Sequence, residues 1–399
     1  MKRSFILCLF LLGFASQVSA AEALVTTVRV PDGGLQPQVA VDEKGTIHLI
    51  YFKGEPRAGD AFYVTSKDSG ATWSKALRVN SEEGSVVAAG NIRGAQLAIG
   101  KNGRAHVAWM GSMKTLADGD HHKAPMLYAR LNDKGDAFEA QRNVITKEYG
   151  LDGGGSIAAS TTGDFRDYLI IAWHAGPKGE GESKRRVWVT VSSNDGLTFQ
   201  PEFAIDDGVS GVCACCGIKA AAQGDFFYVL YRCAKETVHR DMMLSKFNYA
   251  RLSGWVQQKL EAWNVATCPM SSAAAWLTGP SKAIAWEAQG RVSFAQIEEL
   301  KAVHPRETKV TEPVAAPRAD ARRNTPQKHP SIATDKDGRV LLAWSEGVTW
   351  GKGGNVLWQV FDADGKPVAD QAGTIANGVP VWSLVAACAK PGGGFILFH

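Results

Sequence analysis

Five cysteines are the residues whose type and spacing most directly suggest chemistry. Cys213, Cys215 and Cys216 fall within four positions, and Cys233 and Cys268 follow further along the chain. Thiolates bind soft ions such as Cu(I) or Zn(II), whereas thiols in an oxidising compartment pair as disulfides. We therefore expect either a disulfide from Cys233 or Cys268 to the cluster at 213–216, or a copper or zinc site there. Redox chemistry at a thiol of altered pKa is a third reading.

Imidazole, thioether and charged side chains form a second set of candidates. Histidine and methionine suit the same soft metals as cysteine, and charged groups can orient a ligand. Each candidate lies in, or next to, a loop that borders an apolar segment. The predicted ligand-binding residues are Met110, His121, His122, His174, Arg232, Glu287 and His329.

A repeated strand unit must position these residues. A short apolar segment, a turn containing glycine and a strongly apolar segment ending in an aromatic residue recur along the chain. The closing aromatics are 54 to 64 residues apart: Tyr51, Trp109, Trp173, Tyr231, Trp286, Trp344 and Phe398. This interval matches one four-stranded propeller blade per repeat, and the short segments rich in Val, Ile and aromatics indicate strands rather than helices.

A second motif lies between the repeats. Residues 66–73 fit the pattern S-x-D-x-G-x-T-W, residues 192–199 fit it with Asn and Phe substitutions, and residues 132–138 keep the Asp, Gly and aromatic of a decayed copy. The pattern predicts a hairpin turn in which the Asp or Asn side chain caps backbone N–H groups and the aromatic residue packs between sheets.

With this motif, the chain resembles the Asp-box (BNR-repeat), sialidase-like β-propellers over essentially its whole length. The resemblance implies an all-β fold with one propeller domain at 21–399. Seven strand pairs favour seven blades, with six as the alternative, whereas catalytic sialidases have six. Because the last pair leaves no room for outer strands, we expect residues 22–30 to complete that blade and close the ring.

Propeller topology sorts the candidates onto two faces. The turns between first and second strands, and the Asp-box turns, belong to one face, which we call the turn face. First strands begin and second strands end at the other, which we call the thiol face because the five cysteines should gather there. We expect binding at the thiol face. Cys388 lies toward the other end of its strand and should pack as a small apolar group.

The resemblance also allows an enzymatic reading. A sialidase uses three arginines to hold the substrate carboxylate, with a Tyr–Glu pair and an Asp for proton transfer. The family's first arginine stands in an F/Y-R-I-P motif, but the corresponding segment is Leu35-Gln36-Pro37-Gln38. The remaining catalytic candidates are Arg57, Arg93, Arg232, Glu287 and Glu346.

The amino-terminal pattern and the composition indicate the cellular location of the protein and limit the kinds of partner it can bind. Residues 1–20 have a basic start, an apolar core and small residues at 18–20, the pattern of a signal peptide, which predicts a periplasmic or secreted protein. A formal charge of +4 without a basic stripe argues against nucleic-acid binding, and the basic clusters at 184–186 and 318–328 are expected to be solvent-exposed loops. No integral membrane segment is expected, and we expect a monomer.

These observations predict an exported, non-catalytic binding propeller whose ligand is a soft metal ion, a small glycan or a protein partner. No cofactor beyond copper or zinc at the cysteines is indicated. The alternative is a sialidase-like glycoside hydrolase.

Overall fold

The computed structural model describes residues 23–116, 119–160, 165–248, 255–298, 308–318 and 324–399. The predicted signal segment at 1–20 lies outside these ranges, and so does the side chain of His121. Within them the chain forms a seven-bladed β-propeller with only short 3-10 helices. The predicted fold class and the favoured blade number are confirmed.

Strands follow the chain order blade by blade. Strand β1 (Val25–Val28) precedes the blades, and the first blade contains β2 (Leu35–Val41), β3 (Ile47–Lys53), β4 (Asp60–Ser66) and β5 (Leu77–Arg78). The second contains β6 (Gln96–Ile99), β7 (Ala105–Met110), β8 (Met126–Arg130) and β9 (Arg142–Asn143). The third contains β10 (Gly155–Ala159), β11 (Leu169–Ala175), β12 (Arg186–Ser192) and β13 (Phe203–Ala204). The fourth contains β14 (Lys219–Gln223), β15 (Phe226–Arg232), β16 (Met242–Asn248) and β17 (Val256–Glu261).

The remaining blades complete the ring. The fifth contains β18 (Ala273–Trp276), β19 (Ala283–Ala288), β20 (Arg291–Gln296) and β21 (Val314–Ala315). The sixth contains β22 (Gln327–Thr334), β23 (Val340–Glu346), β24 (Gly354–Phe361) and β25 (Pro367–Val379), and the seventh contains β26 (Ala386–Ala389) and β27 (Phe395–Phe398). Described 3-10 helices are Pro31–Gly33, Lys101–Gly103, Met113–Thr115, His121–Lys123 and Glu182–Lys184.

The amino-terminal strand completes the last blade, as the sequence predicted. Strand β1 pairs with β27 in parallel, with Val25 opposite Phe395 and Val28 opposite Phe398. The seventh blade therefore has three strands in the order β1-β27-β26, whereas each of the other six has four. This pairing covers the edge that β27 would otherwise expose.

Apolar side chains between neighbouring blades form the core. Trp109, Trp173, Trp286 and Trp344 close their second strands and are at most 1% exposed. Both faces of these strands are covered by adjacent blades, which is why their sequences are nearly continuous apolar runs. Cys388 is fully buried in the apolar cluster between the seventh and first blades, as predicted.

The two well-preserved turn motifs have one hydrogen-bond pattern. The Ser66 hydroxyl accepts from the Gly70 N–H at 2.9 Å, and the Asp68 carboxylate accepts from the Thr72 N–H at 2.9 Å. The corresponding distances to Ser192 and Asn194 in the second motif are also 2.9 Å. Their aromatic residues pack between sheets, with the ring of Trp73 5.8 Å from that of Phe398 and the ring of Phe199 4.9 Å from that of Tyr128. The predicted capping and packing roles are confirmed.

Candidate thiol site

The loop that precedes β14 carries three cysteines and is held by two neighbouring segments. The Cys213 N–H donates to the Arg232 carbonyl at 2.9 Å, which ties the loop to the end of β15. The Gly217 N–H donates to the Ser271 carbonyl at 2.8 Å, which ties it to the segment before β18. The loop is therefore fixed where the fourth and fifth blades meet on the thiol face.

Four sulfur atoms converge in this loop and its neighbour. Cys215 and Cys268 form a disulfide, which confirms the expectation of a disulfide between Cys268 and the cluster at 213–216. The Cys213 sulfur lies 3.0 Å from the Cys216 sulfur and 3.5 Å from the Cys215 sulfur. Cys213 and Cys216 carry free thiols and are 1% and 2% exposed, whereas Cys215 is half-buried above them.

The guanidinium of Arg232 is connected to the thiol pair through Ser271. Its Nε donates to the Ser271 hydroxyl at 2.8 Å, and Ser271 in turn lies 3.5 Å from the Cys216 sulfur. Burial alone would raise the pKa of Cys216, but the Cys213 thiol, the Arg232 charge and the Ser271 hydroxyl together lower it. The pKa of Cys213 is raised because its S–H is shared with Cys216 and because it is buried. The surroundings therefore favour ionisation at Cys216, with the Cys213 S–H donating to it.

His174 contacts the backbone of the loop that carries the cysteines. Its Nε2 lies 3.0 Å from the Cys216 carbonyl oxygen, and its Nδ1 lies 3.3 Å from an Arg185 nitrogen. Because a carbonyl only accepts and a guanidinium only donates, the contacts are satisfied when Nε2 carries the proton and Nδ1 is bare. Burial and the nearby Arg185 charge lower the pKa of His174 to about 4, so the ring is neutral and both nitrogens are occupied.

Glu182 secures the other side of the loop. One carboxylate oxygen accepts from the Ala214 N–H at 2.7 Å, and the other lies 2.7 Å from an Arg240 nitrogen. The Cys233 sulfur is directed instead at the loop at 239–241, where it accepts from the Asp241 N–H at 3.2 Å. Cys233 pairs through its backbone with Val212, next to Cys213, but its thiol contacts a different loop.

A buried carboxyl group, that of Glu287, lies near Arg232. Glu287, which is 1% exposed, lies 3.3 Å from the Lys328 ammonium through Oε1, and its Oε2 has no hydrogen-bond partner within the described ranges. Burial raises the pKa of Glu287 to about 7 despite the opposing charges of Lys328 and Arg232. This carboxyl group can therefore exchange a proton near neutral pH.

The other predicted binding residues do not join the thiols. Met110 is half-buried in the apolar cluster between the second and third blades. His122 is half-buried next to Gly150, and its backbone carbonyl accepts from the Gly150 N–H at 2.8 Å. His329 is 5% exposed, with Nδ1 3.2 Å from the Ser272 hydroxyl, and burial lowers its pKa to about 3.

The candidate catalytic residues have separate partners. Arg57 is exposed on the loop after β3, and Arg93 pairs with Asp152 at 2.6 Å. Arg232 is buried and donates inward to Ser271 and to backbone carbonyls, among them that of Glu287. Glu346 is 8% exposed and accepts from the Trp344 indole at 3.2 Å and from Gln327 at 3.3 Å. These contacts do not form a shared carboxylate-binding group of three arginines.

Sequence reasoning missed several residues of the site. Arg185 belongs to the cluster expected to be a solvated loop, yet it donates to the Gly150 carbonyl at 2.7 Å and to His174. Lys328 ends the second basic cluster expected to be a solvent-exposed loop, but this expectation was wrong for it: Lys328 lies in β22, donates to the Pro269 carbonyl at 2.6 Å and lies 3.3 Å from Glu287. Ser271 was not singled out, although it follows Cys268 by three residues. Burial of a basic side chain has no signal in a single sequence when the covering residues come from another blade.

Comparisons with known proteins identify the fold. No family model and no curated protein matches this chain. Among solved structures, it is similar to a Hadza microbial sialidase, with 13% identity, 79% of this chain and 63% of that chain covered, and a TM-score of 0.50. It is also similar to the NanB sialidase from Streptococcus pneumoniae, with 8% identity, 81% and 67% coverage and a TM-score of 0.52.

The chain therefore has a sialidase-like propeller fold. It spans 63% of the length of the Hadza microbial sialidase, and identities this low concern the fold alone. No helix within the described ranges is long and apolar enough to cross a membrane.

Proposed function

We propose that this protein is an exported, non-catalytic binding propeller that takes up a soft metal ion, Cu(I), between Cys213 and Cys216. The observation that carries the proposal is the convergence of two buried thiol sulfurs, 3.0 Å apart, next to the Arg232 guanidinium. Thiolate ligands favour soft and borderline metals such as Cu(I) and Zn(II) over hard cations. The charge of Arg232 offsets the excess negative charge of a bis-thiolate Cu(I) unit.

The number of available ligands favours Cu(I) over Zn(II). Structural zinc sites use about four protein ligands. Cys215 is consumed by its disulfide with Cys268, and both nitrogens of His174 are occupied, so two thiols remain. Two metal–sulfur bonds of about 2.3 Å on opposite sides of a two-coordinate ion would place the sulfurs about 4.6 Å apart, so binding would have to spread them by about 1.6 Å from their present 3.0 Å. It must also displace the proton that Cys213 shares with Cys216.

A Cu(I) titration tests the proposal. The protein is prepared by periplasmic expression and titrated without oxygen against a coloured Cu(I) chelator. We expect one tightly bound Cu(I), lost in Cys213→Ser and in Cys216→Ser, and retained in Cys388→Ser, which alters a buried thiol in another blade. Thiol counting on the denatured protein should give four thiols, those of Cys213, Cys216, Cys233 and Cys388. Clustered thiols found oxidised in pairs, or equal copper uptake by all variants, would refute the proposal.

An assay with a fluorogenic sialoside distinguishes binding from hydrolysis. Because Arg57, Arg93 and Arg232 do not form a shared group that could hold the substrate carboxylate, we expect no turnover above the buffer rate. Turnover abolished by Arg93→Ala but retained in Lys352→Ala would replace the binding proposal by a hydrolase.

Export and a monomeric state are further parts of the proposal. They are supported by the signal-peptide pattern at 1–20 and by strand pairing that joins the first described strand to the last. Cell fractionation, amino-terminal sequencing and light scattering should give a periplasmic or secreted monomer that begins near Ala21. A product that retains residues 1–20 in the cytoplasm would exclude export.

A further inference from the structure

A cavity lies at the turn face, opposite the face that holds the thiols. The turns between first and second strands surround the propeller axis and enclose a cavity of about 970 Å³, which we call the turn cavity. Every blade contributes to its lining. Adjacent turns touch, since a Cβ added at Gly45 of the first blade would lie 2.7 Å from Pro391 of the seventh.

Trp276 closes the inner end of the turn cavity. Its side chain, at the end of β18, packs against apolar clusters that involve the fifth, sixth, seventh and first blades. The same residue lines a narrower channel of about 90 Å³ on the other side. Val41, Ile99 and Leu277 add apolar surface around the turn cavity. The cavity thus has an apolar end wall that includes a large aromatic ring, which suits the flat body of a ligand.

Basic side chains surround the opening of the turn cavity. Six of the seven blades supply a lysine or arginine to its lining: Lys44, Lys101, Arg166, Lys282, Lys336 and Lys390. Three carboxylates also line it, but each is engaged locally. Asp42 accepts from the Lys44 and Thr46 N–H groups, Asp335 accepts from the Asp337 and Arg339 N–H groups, and Glu43 lies 3.6 Å from Arg166.

Two of the lysines are more available than the others. Lys44 is exposed and makes no ion pair within the part of the chain that the structure describes. The Lys390 ammonium has only the Thr26 hydroxyl, at 3.3 Å, as a described partner. The contact between Gly45 and Pro391 places the two lysine-bearing turns next to each other. An anionic group at this side of the opening would meet two cations that form no ion pair with a carboxylate among the described residues.

We propose that the turn cavity binds a small organic anion with a flat apolar body. The body would lie against Trp276, and its carboxylate or sulfonate group would lie between Lys44 and Lys390. The site is separate from the thiol pair and is on the opposite face, so the two proposals stand or fall independently.

Calorimetric titration with a matched pair of probes tests this proposal. Naphthalene-2-sulfonate carries the anion and the flat body, whereas naphthalene-2-methanol has the same ring system without the charge. We expect the sulfonate to bind one to one and at least about tenfold more tightly than the alcohol, because two cations attract it in a partly desolvated cavity.

Substitutions inside and outside the turn cavity test where the two probes bind. The double variant Lys44→Glu/Lys390→Glu should weaken sulfonate binding about tenfold or more and leave alcohol binding within about twofold. Lys352→Glu reverses an exposed charge outside the cavity, in the loop between β23 and β24, and should change neither. Trp276→Leu should weaken both probes. Equal affinity for the two probes, or equal loss in Lys352→Glu and the double variant, would overturn the proposal even if Trp276→Leu does not fold.

Discussion

Cys215 in the loop before β14 and Cys268 in the segment before β18 are joined by a disulfide across 53 residues of sequence. The bond ties the fourth blade to the beginning of the fifth, directly above the thiol pair. With Cys215 paired to Cys268, Cys213 and Cys216 remain as the two free thiols of the loop.

Removal of this disulfide should reduce stability. For a loop of this length, the restriction of the unfolded chain contributes about 4 kcal/mol. We expect Cys215→Ser, Cys268→Ser and the double variant to lower the free energy of unfolding by this same amount, measured by urea denaturation. Because all three remove one cross-link, a single variant much less stable than the double would show that the orphaned thiol, rather than the lost bond, causes the effect.

The serines of the two turn motifs should contribute similarly to the stability of the protein. Ser66 and Ser192 are at most 2% exposed, and each accepts from a glycine N–H at 2.9 Å. Ser66→Ala and Ser192→Ala each leave a buried N–H without its acceptor, which should cost about 1–2 kcal/mol in urea denaturation. Ser193→Ala, at an exposed neighbour, should have no measurable effect. A comparable loss in Ser193→Ala would contradict the role given to these hydroxyls.

Glu287 should make the protein less stable as the pH rises. Its pKa in the folded state is about 7, above the usual 4.5, so folding binds a proton between these two values. The stabilisation is complete below about pH 4.5 and is lost as the pH rises to 7. Relative to Glu287→Gln, which cannot ionise, the wild type should lose up to about 3 kcal/mol from pH 4.5 to 7.5. A constant difference between the two unfolding free energies over this range would show that Glu287 does not titrate as described.

His174 should have the opposite effect over an overlapping range. Its folded-state pKa is lowered to about 4 from 6.5, so the unfolded chain binds the proton first. The stabilisation is present above about pH 6.5 and is lost as the pH falls to 4. His174→Gln keeps a donor for the Cys216 carbonyl but cannot take up this proton. On acidification its free energy of unfolding should therefore fall by up to about 3 kcal/mol less than that of the wild type. Equal acid sensitivity of both proteins, measured by urea denaturation at pH 7 and 4.5, would contradict this assignment.

The fold was readable from the sequence because the repeat is strong. The closing aromatics, from Tyr51 to Phe398, mark seven buried second strands, and the predicted pairing of the amino-terminal segment with the last blade is found between β1 and β27. The parallel direction of the pairing between β1 and β27 was not predicted, since the apolar pattern of Val25–Val28 does not specify direction.

The candidate site was only partly predictable. The five cysteines could be assigned to one neighbourhood because they lie at strand boundaries of adjacent blades. The burial of Arg232 and the use of Arg185 depend on side chains that pack from other blades, so their local sequence resembles that of solvated loops. The turn cavity was missed because its lining comes from seven turns that are each ordinary, and only their arrangement around Trp276 makes a cavity.

The parallel pairing of β1 with β27 also has a consequence for biosynthesis. Val25 emerges from the ribosome long before its partner Phe395, so six blades can assemble while the seventh is still missing two of its three strands. During that interval the growing protein is an open arc with uncovered apolar surface at both ends. Such surface favours association between incomplete chains until β27 has been synthesised and its pairing with β1 can close the ring.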